Sequence, residues 1–131
     1  MENLLIHPTT FTPLVSFNTT HNVFTIAGCS YNDKTSEFYK PIQSWLASYL
    51  KSNTKPVICQ LQLDFFNKTS RKAFAQIFQL FEVFSQKNDI QVSVNWFVNT
   101  NDKEMIKEGE AFKRNFPGLH FQFFLEAPES H

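Results

Sequence analysis

The feature that most constrains the fold of this sequence is a regular exchange between two spacings of apolar residues. Segments with apolar side chains at every second position alternate with segments in which they recur every three or four positions. The first spacing is typical of a strand with one polar face, and the second is typical of an amphipathic helix. The segments predict the element order ββαβαβαβ.

Strands are predicted over residues 11–17, 23–28, 57–65, 90–98 and 119–125, and helices over residues 36–52, 70–86 and 102–115. Strands joined through helices should be parallel, with right-handed crossovers. Polar residues at alternate strand positions indicate that helices cover only one face of the sheet. We therefore expect an α/β two-layer sandwich whose five-stranded mixed sheet has the order 1-2-3-4-5, with an antiparallel first strand at one edge.

The uncovered face of this sheet should combine polar and aromatic side chains. Phe65 has the phase of the core in its strand, whereas Phe66, Phe97 and Phe124 have the phase of the polar residues. Those polar residues are Gln60, Gln62, Asp64, Ser93, Asn95 and Gln122. Exposed aromatic patches often mark association sites. Cover by the N-terminal segment is the alternative.

Composition excludes several classes of function. The 131 residues predict one domain, 1–131, with a core at about 10–126. Twelve basic and twelve acidic residues give a net charge of zero, which argues against nucleic-acid and membrane partners. With three glycines and no glycine-rich phosphate loop, a nucleotide-binding enzyme is not expected, and no cofactor is predicted.

Catalytic and metal-binding patterns are weak. The four histidines lack the spacing of metal ligands, so no metal site is expected. Cys29 and Cys59 lie in apolar runs and are predicted to be buried free thiols, which is typical of proteins in a reducing cytoplasm. The N-terminal segment does not have the pattern of a signal peptide. A nucleophilic Cys29 would be an alternative, but no histidine base maps beside it.

Three polar loops follow strands and should meet at one rim of the sheet. They cover residues 29–33, 67–72 and 99–102. The middle loop leads into a helix, whose N-terminus favours anions, so the hydroxyls of Thr69 and Ser70 are candidate phosphate acceptors. In the simpler interpretation one of them caps the helix. A small-molecule site in the polar rim is the alternative function, and it would require an enclosed, dry cavity.

Several motifs in order resemble the SiaC family of bacterial regulatory phosphoproteins. They occupy residues 30–33, 38–46, 65–72 and 102–105, with Gly109, Glu110 and Phe112. The resemblance covers about residues 10–126. It implies an architecture similar to the STAS-type anti-sigma-factor antagonists.

The resemblance also implies a non-enzymatic signalling protein that acts by partner switching. A protein kinase would phosphorylate a loop threonine, a PP2C-type phosphatase would reverse this, and the unmodified form would bind a diguanylate cyclase. In this sequence Lys68 stands where the family has its acceptor threonine, so the candidate acceptors are Thr69 and Ser70. The predicted partner-binding residues are Ser30, Tyr31, Asn32, Asp33, Asn67, Lys68 and Lys72.

Overall fold

The computed structural model describes residues 2–127, so Met1 and residues 128–131 of the predicted domain lie outside the described part. Its strands are β1 (Leu4–Ile6), β2 (Leu14–Asn18), β3 (Val23–Ser30), β4 (Val57–Phe66), β5 (Val92–Asn99) and β6 (His120–Glu126). Its helices are α1 (Thr35–Ser52), α2 (Lys68–Asn88) and α3 (Lys103–Asn115). Within the described residues, no helix is long and apolar enough to cross a membrane.

The strands form one mixed sheet in the order β1-β2-β3-β4-β5-β6. β1, β2 and β3 are antiparallel neighbours, and β3 to β6 are parallel neighbours. The five predicted strands therefore have the predicted neighbours, but the predicted count of five is wrong. The first predicted strand is not at an edge, because β1 pairs with it on that side.

The N-terminal part of the chain differs from the prediction for local reasons. β1 has only three residues, too few to show a spacing of two. The next strand begins at Leu14, not at Phe11, because a turn precedes it in which the Thr9 hydroxyl accepts the N–H groups of Phe11 and Thr12. β1 lies at the edge opposite β6, so it extends the sheet and does not cover the aromatic residues Phe97 and Phe124.

All three helices pack on the same face of the sheet, as predicted. From β3, the Phe24 ring contacts Tyr49 of α1 and Phe81 of α2, with centroid separations of 5.5 and 6.1 Å. From β5, Trp96 packs against Phe112 of α3 at 5.7 Å. The four phenylalanine and tryptophan rings are almost completely buried in one continuous core, and Tyr49 packs against it partly buried.

A register shift near the end of β4 reverses the predicted orientation of two aromatic residues. Between Gly28 and Cys29 the pairing of β3 with β4 slips by one residue, and Asp64 is left without a ladder partner. Gly28 has φ of 112°, a conformation that other residues rarely adopt. As a result Phe65 is 53% exposed and Phe66 only 7% exposed. The prediction that Phe65 faces the core and Phe66 the open face is therefore wrong.

Candidate functional site

The rim loops after β3 and β4 meet directly in the structure. Ser30 is the last residue of β3, and its carbonyl oxygen accepts the N–H of Asn67 at 3.1 Å. This bond joins the two strand ends just before helix α2 begins. The structure thus brings together Ser30 with the 67–72 segment, two regions that the sequence placed at the same rim.

Asn67 caps helix α2. Its backbone is extended, and its side-chain oxygen accepts the N–H of Ser70 at 2.9 Å. An asparagine in this position satisfies a backbone donor that the helix itself leaves unpaired. The helix therefore begins at Lys68, and the interpretation that Thr69 or Ser70 is the cap is wrong.

Behind the cap lies a chain of buried hydroxyl groups. Ser70 is fully buried and donates to the Ser30 carbonyl oxygen at 2.7 Å. The Ser30 hydroxyl lies 2.7 Å from the Ser70 hydroxyl and 2.7 Å from the Tyr39 hydroxyl. Each hydroxyl has one proton, so Tyr39 donates to Ser30, Ser30 to Ser70, and Ser70 to the backbone. Burial raises the pKa of Tyr39, partly offset by the hydrogen bond to Ser30, so the phenol stays protonated.

This burial contradicts the prediction that Ser30 and Ser70 are accessible to a partner. Ser70 is 0% exposed and Ser30 is 2% exposed, so neither can be reached by a partner's side chain or active site in this fold. Their role is to hold the start of α2 against β3 and α1. Thr69, by contrast, is exposed in the first turn of α2, beside the exposed Lys68. The exposure of Thr69 leaves it a candidate phosphate acceptor, whereas the expectation of an accessible hydroxyl is wrong for Ser70.

A groove between α1 and α2 begins at this exposed turn. It has a volume of about 560 Å³ and is lined by Ser36, Tyr39, Lys40, Gln43, Lys68, Thr69, Lys72, Ala73 and Gln76. The ion pairs of the described residues involve none of the three lysines. Three cations beside a helix N-terminus make this basic groove attractive to anionic groups. The sequence prediction missed its α1 wall, although Ser36, Lys40 and Gln43 have the spacing of one helix face.

Arg71 lies in the same turn but is directed toward α3. Its guanidinium makes two hydrogen bonds to the Glu108 carboxylate, at 2.7 and 2.5 Å, and lies 5.9 Å from the Phe66 ring centroid. The hydrogen bond with Glu108 raises the pKa of Arg71. This pairing joins α2 to α3 and leaves Lys68 and Lys72 as the basic residues of the turn that line the basic groove.

The other predicted partner-binding residues lie at the start of α1. Tyr31 is half-buried, and its ring packs edge-on between Phe11 at 5.1 Å and the exposed Phe65 at 5.5 Å. Asn32 is half-buried and turns the chain into α1, since its side chain accepts the N–H of the residue two positions later at 3.0 Å. Asp33 is exposed. The aromatic cluster of Phe11, Tyr31 and Phe65 was not predicted, because it depends on the register shift in β4.

Neither cysteine lies in a cluster suited to metal binding. Within residues 2–127, no group of three or more histidine, cysteine or acidic side chains is close enough to hold a metal ion. Cys59 is buried in the core, and burial raises the pKa of its thiol to about 12. Cys29 is half-buried at the end of β3, and both thiols are free.

Comparison with known proteins places the chain in a family. A curated protein of Pseudomonas aeruginosa, described as uncharacterized, is 24% identical over 127 residues, covering 97% of this chain and 98% of that protein. A structure of SiaC from Pseudomonas aeruginosa matches with a TM-score of 0.83 and 25% identity, covering 98% of this chain and 100% of that one. A crystal structure of the diguanylate cyclase SiaD in complex with its activator SiaC, from the same organism, contains a chain that matches with a TM-score of 0.83 and 24% identity, covering 95% of this chain and 99% of that one. The sequence model of the family of SiaC regulatory phosphoproteins matches residues 6–126 of this chain. The chain therefore belongs to the SiaC family.

Proposed function

We propose that this chain is a non-enzymatic regulator that binds a diguanylate cyclase through the start of helix α2, and that phosphorylation of Thr69 controls this binding. The observation that carries the proposal is the contrast between Thr69 and its neighbours. Asn67 and Ser70 hold the backbone in place, while Lys68, Thr69 and Lys72 project into the basic groove and into solvent. A surface that is already ordered and exposed suits recognition by another protein, because little conformational entropy is lost on binding.

Charge gives Thr69 a way to act as a switch. A phosphate on its hydroxyl would add about −1.5 to −2 charges at neutral pH. It would stand among the lysines that line the basic groove and close to the N-terminus of α2, where negative charge is favourable. The three lysines that line the groove give it a charge of +3, so the phosphate would lower this to about +1 to +1.5. An acidic partner segment would then lose much of its attraction.

The proposal extends to the proteins that would set this state. A protein kinase would modify Thr69, a PP2C-type phosphatase would restore it, and partner switching would take place in the cytoplasm. Residues 1–131 would act as one domain, with the fold compared above to STAS-type antagonists. Two findings support parts of this scheme: the matched family is one of regulatory phosphoproteins, and one member occurs in a complex with a diguanylate cyclase.

A cyclase assay tests the binding role. The purified chain is added to Pseudomonas aeruginosa SiaD and to diguanylate cyclases of its own host, and cyclic di-GMP formation and complex formation are measured. The test variant reverses one lysine on each wall of the groove, Lys40→Glu with Lys72→Glu. The matched control reverses two lysines at the opposite ends of the same helices, Lys51→Glu with Lys87→Glu.

We expect the chain to activate at least one cyclase. The groove variant should lose most of this activation, and the control variant should retain it. If both variants lost cyclase activation equally, the basic groove would not be part of the binding interface. Absence of binding to every cyclase tested would refute a cyclase partner.

Phosphorylation is tested separately. The chain is incubated with its cognate kinase and ATP, digested, and analysed by mass spectrometry. Phosphate should appear on Thr69, should disappear in Thr69→Ala, and should persist in Thr100→Ala, which removes an exposed hydroxyl from another rim loop. An unmodified 67–72 segment would exclude Thr69 as the acceptor and leave the cyclase-binding role to its own assay.

The small-molecule alternative has less support from the structure. It required an enclosed, dry cavity at the strand ends. Two hollows of about 560 Å³ each are open grooves, and their linings include charged side chains such as Lys68 and Lys72 in one and Asp64 and Glu126 in the other. Open, charged grooves are more typical of protein surfaces that contact other macromolecules than of pockets that enclose a ligand.

A further inference from the structure

The two edges of the sheet are built differently. β1, at one edge, has three residues, and very short edge strands are a common protection against unwanted pairing. β6, at the other edge, has seven residues, His-Phe-Gln-Phe-Phe-Leu-Glu, with no lysine, arginine or proline. Among the described residues, β6 has a ladder partner only in β5. Its free edge therefore presents N–H and C=O groups over the length of a complete strand.

The side chains around this free edge are also unusually apolar for a surface. Leu125 is 59% exposed and Phe124 is 40% exposed. The Phe124 ring stacks on Phe97 of β5, with centroids 4.9 Å apart and an interplanar angle of 19°. A flat aromatic pair next to an unprotected strand edge is a surface that another strand could extend and cover.

We infer that β6 is a homodimer interface, in which it pairs antiparallel with β6 of a second copy of this chain. A two-fold axis through Phe123 uses all seven residues and places each residue opposite one of the other copy. In this register His120 faces Glu126, Phe121 faces Leu125, Gln122 faces Phe124, and Phe123 faces itself.

The ends of the strand supply the argument for a second copy over an unrelated strand. His120 and Glu126 are both exposed, and the two-fold axis brings each imidazole opposite the other copy's carboxylate, at both ends of the interface. Within its own chain the imidazole Nε2 lies 2.7 Å from the Gln122 amide nitrogen, which can donate to it, so the Nδ1–H is left to donate a hydrogen bond to the carboxylate. Parallel pairing in register would place histidine opposite histidine and glutamate opposite glutamate. The sequence of β6 is thus complementary to itself in the antiparallel direction only.

A charge-swap series tests this register on the full chain. The dimer dissociation constant of the wild type is measured by sedimentation velocity across micromolar to millimolar concentrations, with circular dichroism as the check on folding. His120→Glu places two like-charge pairs in the interface and should weaken the dimer about tenfold. The double variant His120→Glu with Glu126→Lys restores opposite charges and should recover most of the wild-type affinity.

The recovery cannot come from contacts within one chain, because the two positions lie about 20 Å apart along the same strand. Leu125→Lys, which changes an exposed residue, is a second route to the interface and should also favour the monomer. A wild-type chain that remains at 15.3 kDa over the whole concentration range would overturn the inference. The inference would also be overturned if His120→Glu and Leu125→Lys left the dimer dissociation constant unchanged. The same holds if the double charge-swap variant dimerised as weakly as His120→Glu alone.

Discussion

Removing the Ser30 hydroxyl should destabilise the fold more than removing the Tyr39 hydroxyl that donates to it. In Ser30→Ala the Tyr39 hydroxyl keeps its buried position, at 1% exposure, but loses its hydrogen-bond partner. A buried donor left unsatisfied costs about 1–3 kcal/mol. In Tyr39→Phe no donor is stranded, since the Ser30 hydroxyl still donates to Ser70.

The expected free energies follow from this difference. Ser30→Ala should lower the free energy of unfolding by about 2–3 kcal/mol, and Tyr39→Phe by about 1 kcal/mol. When Ser30→Ala is already present, Tyr39→Phe removes the stranded hydroxyl. The second substitution should then raise the free energy of unfolding by about 1 kcal/mol. The sign of the Tyr39→Phe effect therefore depends on whether the Ser30 hydroxyl is present.

Urea unfolding, followed by tryptophan fluorescence and extrapolated linearly to water, measures all four proteins of this cycle. Similar m-values across the series would show that the comparison concerns the native network. If Tyr39→Phe lowers the free energy of unfolding by the same amount in both backgrounds, the hydroxyl of Tyr39 is not coupled to Ser30, and the reasoning is refuted.

Three further perturbations follow from the cap, the helix packing and the thiols. Asn67→Ala should lower the free energy of unfolding by about 1 kcal/mol in urea titrations, whereas Asn67→Asp, which keeps an acceptor at the helix N-terminus, should lower it less. Gly109→Ala would place a methyl group 2.7 Å from the Trp96 indole nitrogen, so it should cost about 1–3 kcal/mol and alter the native tryptophan emission. In the folded protein, iodoacetamide should label the half-buried Cys29 before Cys59, whose pKa burial raises to about 12, and peptide mass spectrometry would contradict this if both react together.

The fold could be predicted to the extent that burial follows regular spacing. Strands β4 and β5 bury alternate residues over several positions, and β3 does so in its first half. The order of β3 to β6 follows from connections through helices on one face. β1 escaped prediction because a three-residue strand has no measurable period. The orientation of Phe65 and Phe66 escaped it because one unpaired residue, Asp64, shifts the phase of everything after it.

The sequence predicted where the candidate site lies in the fold, but not which of its side chains are exposed. The rule that loops after parallel strands share a rim correctly placed Ser30 beside the 67–72 segment. It could not show that Ser70 is interior and Thr69 exterior, since both are small hydroxyl residues in the same turn. That distinction depends on bonds between Ser70 and Ser30, which lie 40 positions apart in the sequence. Burial of a polar side chain is decided by such distant partners, which a local pattern does not contain.

The first turn of α2 departs from a rule that the chain follows elsewhere. α3 has Glu104 in its first turn and Lys113 in its last, the order that the helix dipole favours. α2 has no acidic residue in its first turn, which instead carries Lys68, followed by Lys72. Cations at a helix N-terminus cost about 0.3–1 kcal/mol each. Residues that lower local stability are expected where a surface serves binding. Here the unfavourable positive charge of Lys68 and Lys72 is what an incoming carboxylate, or a phosphate on Thr69, would offset.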